Sequence, residues 1–263
     1  MEFNANLRKA WSQDDDGTWH MTMPDGWNQG RSVFGGLTTA AAAGLGLRVI
    51  NPERRLRTFQ AQLLRPATPG PIQGTATITR EGRNVTFLRA SLTQNDKAVI
   101  NLDMVFVKER DSTVHVEPEP VWEGPDPETL PEMPYIEGIT PQMTQHIAFR
   151  WVTQNYPFMG QPQKRLAGYF KLRVPTGDEE GIIGLLDAWP TPTLSMVRKP
   201  TPSSTVTWTA HLRQIPKDLS NGWCAFEYET VFAQNGFHTI IGRLHAPDGT
   251  LIASTEQLVG VFD

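Results

Sequence analysis

Two adjacent glycines, Gly35 and Gly36, open a run of small residues in "GRSVFGGLTTAAAAGLGLR" (30–48). A run of that composition reads as a helix, and the first N–H groups of a helix have no acceptor within it. They point outward at the positive end of the helix dipole, where an anion or a developing oxyanion is stabilised. Glycine lets a carbonyl approach that backbone with no side chain in the way. Two uses of the pair are open: a tight turn into the helix, or N–H donors for a reacting oxygen. No Gly-Lys-Ser/Thr follows, so the pair is not a phosphate loop.

Other chemistries find less support. There is no Gly-x-Ser-x-Gly elbow, which sets aside a Ser-His-Asp hydrolase. His20, His115, His146, His211, His238 and His245 show no metal-ligand spacing, so no metal and no other cofactor is expected. His238 and His245 bracket a strand and are expected to face solvent. Cys224 is the only cysteine, so no internal disulfide can form. In "GWCAFEY" it reads as a small core residue without the histidine context of a nucleophile.

The 263 residues allow one large domain or two of ordinary size. A net charge of −4, with no Lys/Arg cluster, argues against a nucleic-acid partner. The opening "MEFNANLRKAW" has no apolar signal core, and no run reaches the ~20 apolar residues of a membrane span. With a lone cysteine, these features suggest a cytoplasmic protein with no membrane partner.

The elements that must position any site follow from hydrophobic periodicity. Residues 17–23 alternate weakly, and the Ala/Gly helix runs about four turns to Asn51-Pro52. Segments 57–66, 71–82, 84–94 and 97–108 alternate and are rich in Val, Ile, Thr and Phe, as strands are. "REGRN" and "QNDK" between them read as hairpin turns. Residues 109–141 are rich in Pro and Glu without periodicity and read as a connector laid over the surface. Strands at 143–153 and 166–175 and a helix over 178–190, stopped by Pro190, come next. Strands at 204–214, 223–234, 237–246 and 250–262 complete the chain, with "QNG" and "PDG" as turns. Each half is thus one helix wrapped by an antiparallel sheet of about five strands. Sheet wrapped that closely explains a slim helix, although an ordinary buried Ala-rich helix would read the same way.

Segments spread through both halves carry a family resemblance: "VFGG" (33–36), "FQAQLLRPATPG" (59–70), "ITREGRNVTFLRASLTQNDKAV" (78–99), "LLDAWPTP" (185–192), "SSTVTWTAHL" (203–212) and "PDGTLIASTEQ" (247–257). In order and spacing the chain resembles the double hotdog acyl-CoA thioesterases, the type II group and its relatives. The resemblance implies an α+β double hotdog: an N-terminal hotdog over 1–110, the connector over 111–141 and a C-terminal hotdog over 142–263. It implies an acyl-CoA substrate, a homodimer or higher homo-oligomer, and a catalytic Asp, Thr or Ser, and Gln from the second half. Carried over by position, these are Asp187, Thr205 (with Ser204 as the alternative register) and Gln257. Trp189 would line the acyl tunnel and Arg83 would meet CoA phosphates. The first-half strand departs from some members in having Thr58 and Gln60 where they carry a histidine, which bears on the acyl pocket.

The chemistry is coherent on these residues. Asp187, between Leu186 and Ala188 at the end of an apolar helix, is partly desolvated, which raises a carboxyl toward a useful base. Thr205 and Gln257, on strands facing that helix end, can each hold a water or the thioester oxygen. Laying 89–107 on 242–261 puts Gln257 opposite Val105, so one site per chain is expected. Gly35 or Gly36 then supplies an oxyanion donor, and a valine at Gly36 should depress turnover while sparing much of the stability. The competing readings are a hotdog enoyl-CoA hydratase, whose short Asp/His motif is not found, and a non-catalytic acyl-binding protein.

Overall fold

The computed structural model describes residues 6–116, 122–174, 179–213 and 222–262. After a four-residue helix α1 (Asn6–Lys9) come short β1 (Ser12–Gln13) and β2 (Trp19–Met23). A two-residue ribbon follows, β3 (Asn28–Gln29) with β4 (Ser32–Val33). The small-residue run then forms helix α2 (Gly35–Val49). Four long strands complete the first half: β5 (Arg55–Leu63), β6 (Gly70–Glu81), β7 (Val85–Gln94) and β8 (Lys97–Val107). The second half holds β9 (Ile147–Trp151), β10 (Arg165–Leu172), helix α3 (Glu179–Leu185), β11 (Ser203–Leu212), β12 (Cys224–Gln234), β13 (Phe237–His245) and β14 (Leu251–Val261).

Twelve of these strands form one antiparallel sheet in the order β1-β2-β6-β7-β8-β5-β11-β14-β13-β12-β10-β9. The two halves join at the β5–β11 pair, where Ala61 faces Trp208 and Phe59 faces Ala210. Strand alternation sends Leu88, Leu102, Met104 and Phe106 to the inner face, where they are buried. The turns are those the sequence signals: Asn95 and Asp96 at φ +52° and +57°, and Asn235 and Gly236 at +54° and +76°, suit the primed hairpin turns that twisted strands favour.

Helix α2 is buried almost throughout because α1 and the sheet close on it. Ala40, Ala41, Ala42 and Ala43 have no solvent exposure. A Cβ on Gly46 would lie 2.3 Å from Met104 Cε, and one on Gly44 would lie 3.3 Å from the Arg8 backbone nitrogen. The glycines therefore exchange helix propensity for close approach.

Three sequence expectations need correction. The stretch expected as a strand from 143 begins as a 3-10 turn, Gln142–Gln145, started by Pro141, whose carbonyl accepts from the Thr144 N–H at 3.0 Å. The second helix stops at Leu185, before Pro190, because its N–H groups tighten from the Leu186-to-Ile182 bond to three-residue spacing at Asp187-to-Gly184 and Ala188-to-Leu185. Its expected first residue, 178, and the last residue of the 204–214 strand lie outside the described residues. His245 is buried, its Nδ1 3.2 Å from the Gly249 carbonyl, and His238 Nδ1 lies 2.5 Å from Thr193 Oγ1.

Candidate active site

Helix α3 is held at both ends. At its start the buried Glu180 accepts two bonds of 2.9 Å from Arg8 of α1. At its end the chain turns tightly and presents Asp187 to the N-terminus of α2. The approach is too close for any side chain: a Cβ on Gly36 would lie 2.7 Å from the Gly184 carbonyl oxygen, and one on Gly35 would lie 2.8 Å from Asp187 Oδ2. The Gly36 N–H hydrogen-bonds the Asp187 carboxylate. Phe34 at the N-cap offers no side-chain cap, so a carboxylate from the other half caps α2.

The sheet brings the remaining polar groups to the same point. Gln257 on β14 pairs across the sheet with Trp208 and Ile240, and its side chain is on the inner face. Gln257 Nε2 donates to Asp187 Oδ1 at 3.0 Å, and Thr205 Oγ1 donates to Gln257 Oε1 at 3.1 Å. Burial pushes the Asp187 carboxyl up to about 7, against the lowering pull of the Gln257 amide and the Gly36 N–H. Gln257, with both N–H bonds committed within the protein, holds its neighbours and has none left for a thioester oxygen. The Gly36 N–H is likewise engaged, whereas the Gly35 N–H donates to no group among the described residues.

Sequence reasoning missed Tyr228 on β12. It is buried, its hydroxyl donates to the Leu186 carbonyl at 2.7 Å, and it accepts from Gln257 Nε2 at 3.1 Å. Burial and the Asp187 charge raise this phenol well above its ordinary value, so it keeps its proton. Gly242 is its cross-strand partner on β13, and a Cβ there would lie 2.5 Å from the tyrosine ring. That glycine lets the ring lie over β13 and reach β14. An aromatic residue opposite glycine, counted back from the "QNG" turn, was the available signal.

Other candidates are placed elsewhere. Ser204 is exposed, and its hydroxyl donates at 3.5 Å to the Thr205 backbone carbonyl, not to the side chains of this cluster. Trp189 is packed edge-on against Phe149 and Trp151, with ring centroids 5.1 and 4.7 Å away, so its ring fills the core of the second half. Arg83 sits exposed on the β6–β7 turn, beside the end of the sheet where Val85 pairs with Val107 and Val107 with Arg55. Leu63, which touches Gly35, is at the other end of β5, about 26 Å away at strand rise. Arg83 is therefore remote from Asp187 within the chain. Cys224 is buried and its thiol is pushed up to about 12, which leaves no thiolate. Gln257 also changes its counterpart in the repeat. Val99–Ile100 and Ile252–Ala253 are adjacent buried pairs, each followed by burial at every second position up to Phe106 and Val259. Aligning them puts Met104, not Val105, opposite Gln257.

The fold and its relatives now agree. A conserved protein of unknown function with a hot dog fold from Alicyclobacillus acidocaldarius superposes with a TM-score of 0.84 at 20% identity, covering 98% of this chain and 97% of its own. A putative thioesterase II from Thermobifida fusca gives 0.85 at 18% identity, covering 99% and 98%. The dehydratase domain of PpsC from Mycobacterium tuberculosis, in complex with C12:1-CoA, gives 0.59 at 16%, covering 98% and 100%. The chain is a double hotdog. Its residues 23–107 match the acyl-CoA thioesterase N-terminal domain and residues 127–261 the acyl-CoA thioesterase C-terminal domain. The chain belongs to that acyl-CoA thioesterase family. A search of curated protein sequences finds no match. No helix among the described residues is long and apolar enough to cross a membrane.

Proposed function

We propose that this protein hydrolyses acyl-CoA to a carboxylic acid and CoA by attack of a water held between Asp187 and Thr205. The observation that carries this reading is Asp187 itself: a carboxylate with a pKa near neutrality, fixed by Gln257 and set against the start of α2. A base of that strength is about half ionised at neutral pH and basic enough to take a proton. The water oxygen bonds to the thioester carbon as its proton passes to Asp187. The carbonyl oxygen gains charge beside the free Gly35 N–H at the positive end of α2. The C–S bond then breaks, and the proton on Asp187 goes to the departing sulfur. No cofactor enters this sequence.

The test is thiol release from acyl-CoAs of C2 to C18, with aryl and branched acyl groups added, and Asp187→Asn as control. Turnover that Asp187→Asn abolishes is the expected result; a folded wild-type protein that releases no thiol from any member would overturn it. The likeness to a dehydratase domain favours a second reading, hydration of an enoyl-CoA on the same scaffold. Against it, the hydrogen bonds at Asp187 come from Gln257 and Gly36 and none from a histidine. Loss of enoyl absorbance in the same assay separates the two, and binding without turnover would mark an acyl-binding protein. We further propose a cytoplasmic homo-oligomer; the more-than-half-exposed Val231, Phe232 and Phe237 around the β12–β13 hairpin support association of copies.

A further inference from the structure

The hydrogen bonds around Gln257 have a direction, and it starts at Tyr228. The phenol oxygen lies 2.7 Å from the Leu186 carbonyl and 3.1 Å from Gln257 Nε2. A carbonyl can only accept, so the single phenol proton goes to Leu186. The phenol oxygen is left to accept, and only the nitrogen of the Gln257 amide can face it. Gln257 Oε1 must then face Thr205 and take the only proton of that hydroxyl. Thr205 has nothing but lone pairs left to offer a water, and ionised Asp187 has nothing else either. A water between them donates both hydrogens and turns a lone pair outward.

We propose that Tyr228 is a positioning residue that locks the Gln257 amide in this orientation throughout turnover, keeping Thr205 and Asp187 as acceptors for the water. The inference rests on the thioesterase reading above. Ionised Asp187 demands an N–H from Gln257 by itself, so the lock matters once Asp187 has taken the water's proton. The acid could then donate to a flipped amide, Asp187 O–H to Oε1, with Nε2 turned to Thr205. That arrangement would hold the proton away from the departing sulfur. With Tyr228 in place, the flip either sets Oε1 against an oxygen whose proton is committed, or strips the buried Leu186 carbonyl of its donor. The groups acting on the Asp187 charge are the Gln257 amide from β14 and the Gly36 N–H from α2, and burial and that charge in turn hold the Tyr228 phenol of β12 protonated.

The experiment is kcat and KM for acyl-CoA hydrolysis against pH, for wild type, Tyr228→Phe, Gln257→Ala, the double variant and Asp187→Asn. Losing one such bond predicts a roughly tenfold lower kcat for Tyr228→Phe with KM little changed. The acidic limb of its kcat profile should move to higher pH, because the flipped amide favours protonated Asp187. In the Gln257→Ala background Tyr228→Phe should remove almost nothing more. Equal losses in both backgrounds, or an unmoved acidic limb, would overturn the inference. Should Tyr228→Phe fold poorly, 3-fluorotyrosine at 228 keeps the ring and weakens its oxygen as an acceptor, and the same limb should move by a smaller step. A folded wild-type protein that releases no thiol would instead sink the thioesterase reading, and retained turnover in Asp187→Asn would remove Asp187 as the base, so the failures are distinguishable.

Discussion

The two halves of the chain share a plan and differ in what fills it. In the first half a helix of fifteen residues lies on an inner sheet face of Leu88, Leu102, Met104 and Phe106. In the second half a helix of seven residues leaves room at its end, and the inner face carries Thr205, Tyr228, Thr255 and Gln257. Met104 closes on Gly46 of α2, whereas Gln257, its counterpart, reaches Asp187. The first half thus supplies a buried helix with no side-chain cap of its own, and the second gives up apolar packing to hold a carboxylate against it. The polar groups of this inner face are tolerable because they are paired: Trp208 Nε1 donates to Thr255 Oγ1 at 2.6 Å, Tyr228 to Leu186 and Thr205 to Gln257.

The largest expected effect comes from removing the charge that distinguishes the second half. Asp187→Asn should lower kcat by about 100-fold or more with the fold intact, as loss of a general base does. It should also stabilise. The folded-state pKa of about 7 lies above the ordinary 3.8, so Asp187 favours the folded state at low pH and that contribution is lost as pH rises through 7. The variant's thermal midpoint should exceed wild type at pH 8, with the gap closing toward pH 4; a gap independent of pH would contradict the burial argument.

Next is the contact between halves. Gly36→Val drives a branched side chain into the Gly184 carbonyl, so it should lower both stability and turnover. This replaces the sequence expectation that the fold would be spared. Overpacking costs roughly 1–3 kcal/mol, readable as a fall in the denaturant midpoint. An unchanged midpoint would mean the two helices do not meet this closely.

Smaller effects separate the polar residues. Thr205→Ala should cost about 1.5–3 kcal/mol in kcat/KM, as loss of a bond near a reacting charge does, and Ser204→Ala should be silent. Reversal of the two would place the strand register one residue away. Met104→Gln puts the second half's residue into the first, where α2 leaves no partner for it. It should destabilise by about 1–3 kcal/mol without touching the chemistry of the folded fraction. Arg83→Ala, remote from Asp187 within the chain, should leave kcat unchanged in the same assay; a clear fall would bring that arginine to the site of another copy.

How much of this was legible depended on the range of the determining contact. Strands and turns follow from two-residue alternation and from Asn-Asp, Asn-Gly and Asp-Gly pairs, all local, and their ends fall within a few residues of expectation. Asp187, Thr205 and Gln257 were found by resemblance, and the structure brings them together across separate elements. Tyr228 was missed because its role depends on Gly242, which only strand register brings opposite it. The early end of α3 was missed because Pro190 is an obvious stop, while the actual stop is a tightening of the backbone at Gly184. Trp189 was given to the acyl tunnel by its adjacency to Asp187; its ring packs on Phe149 and Trp151.

The central claim is that Asp187, buried against the start of the other half's helix, is the base. The dependence of kcat/KM on pH from 5 to 9 reports the titration of the free protein's essential groups. We predict a rise of slope one that bends at about 7, the value burial gives Asp187. A kcat/KM that is flat across that range, or that bends near the ordinary carboxylate value, would contradict it.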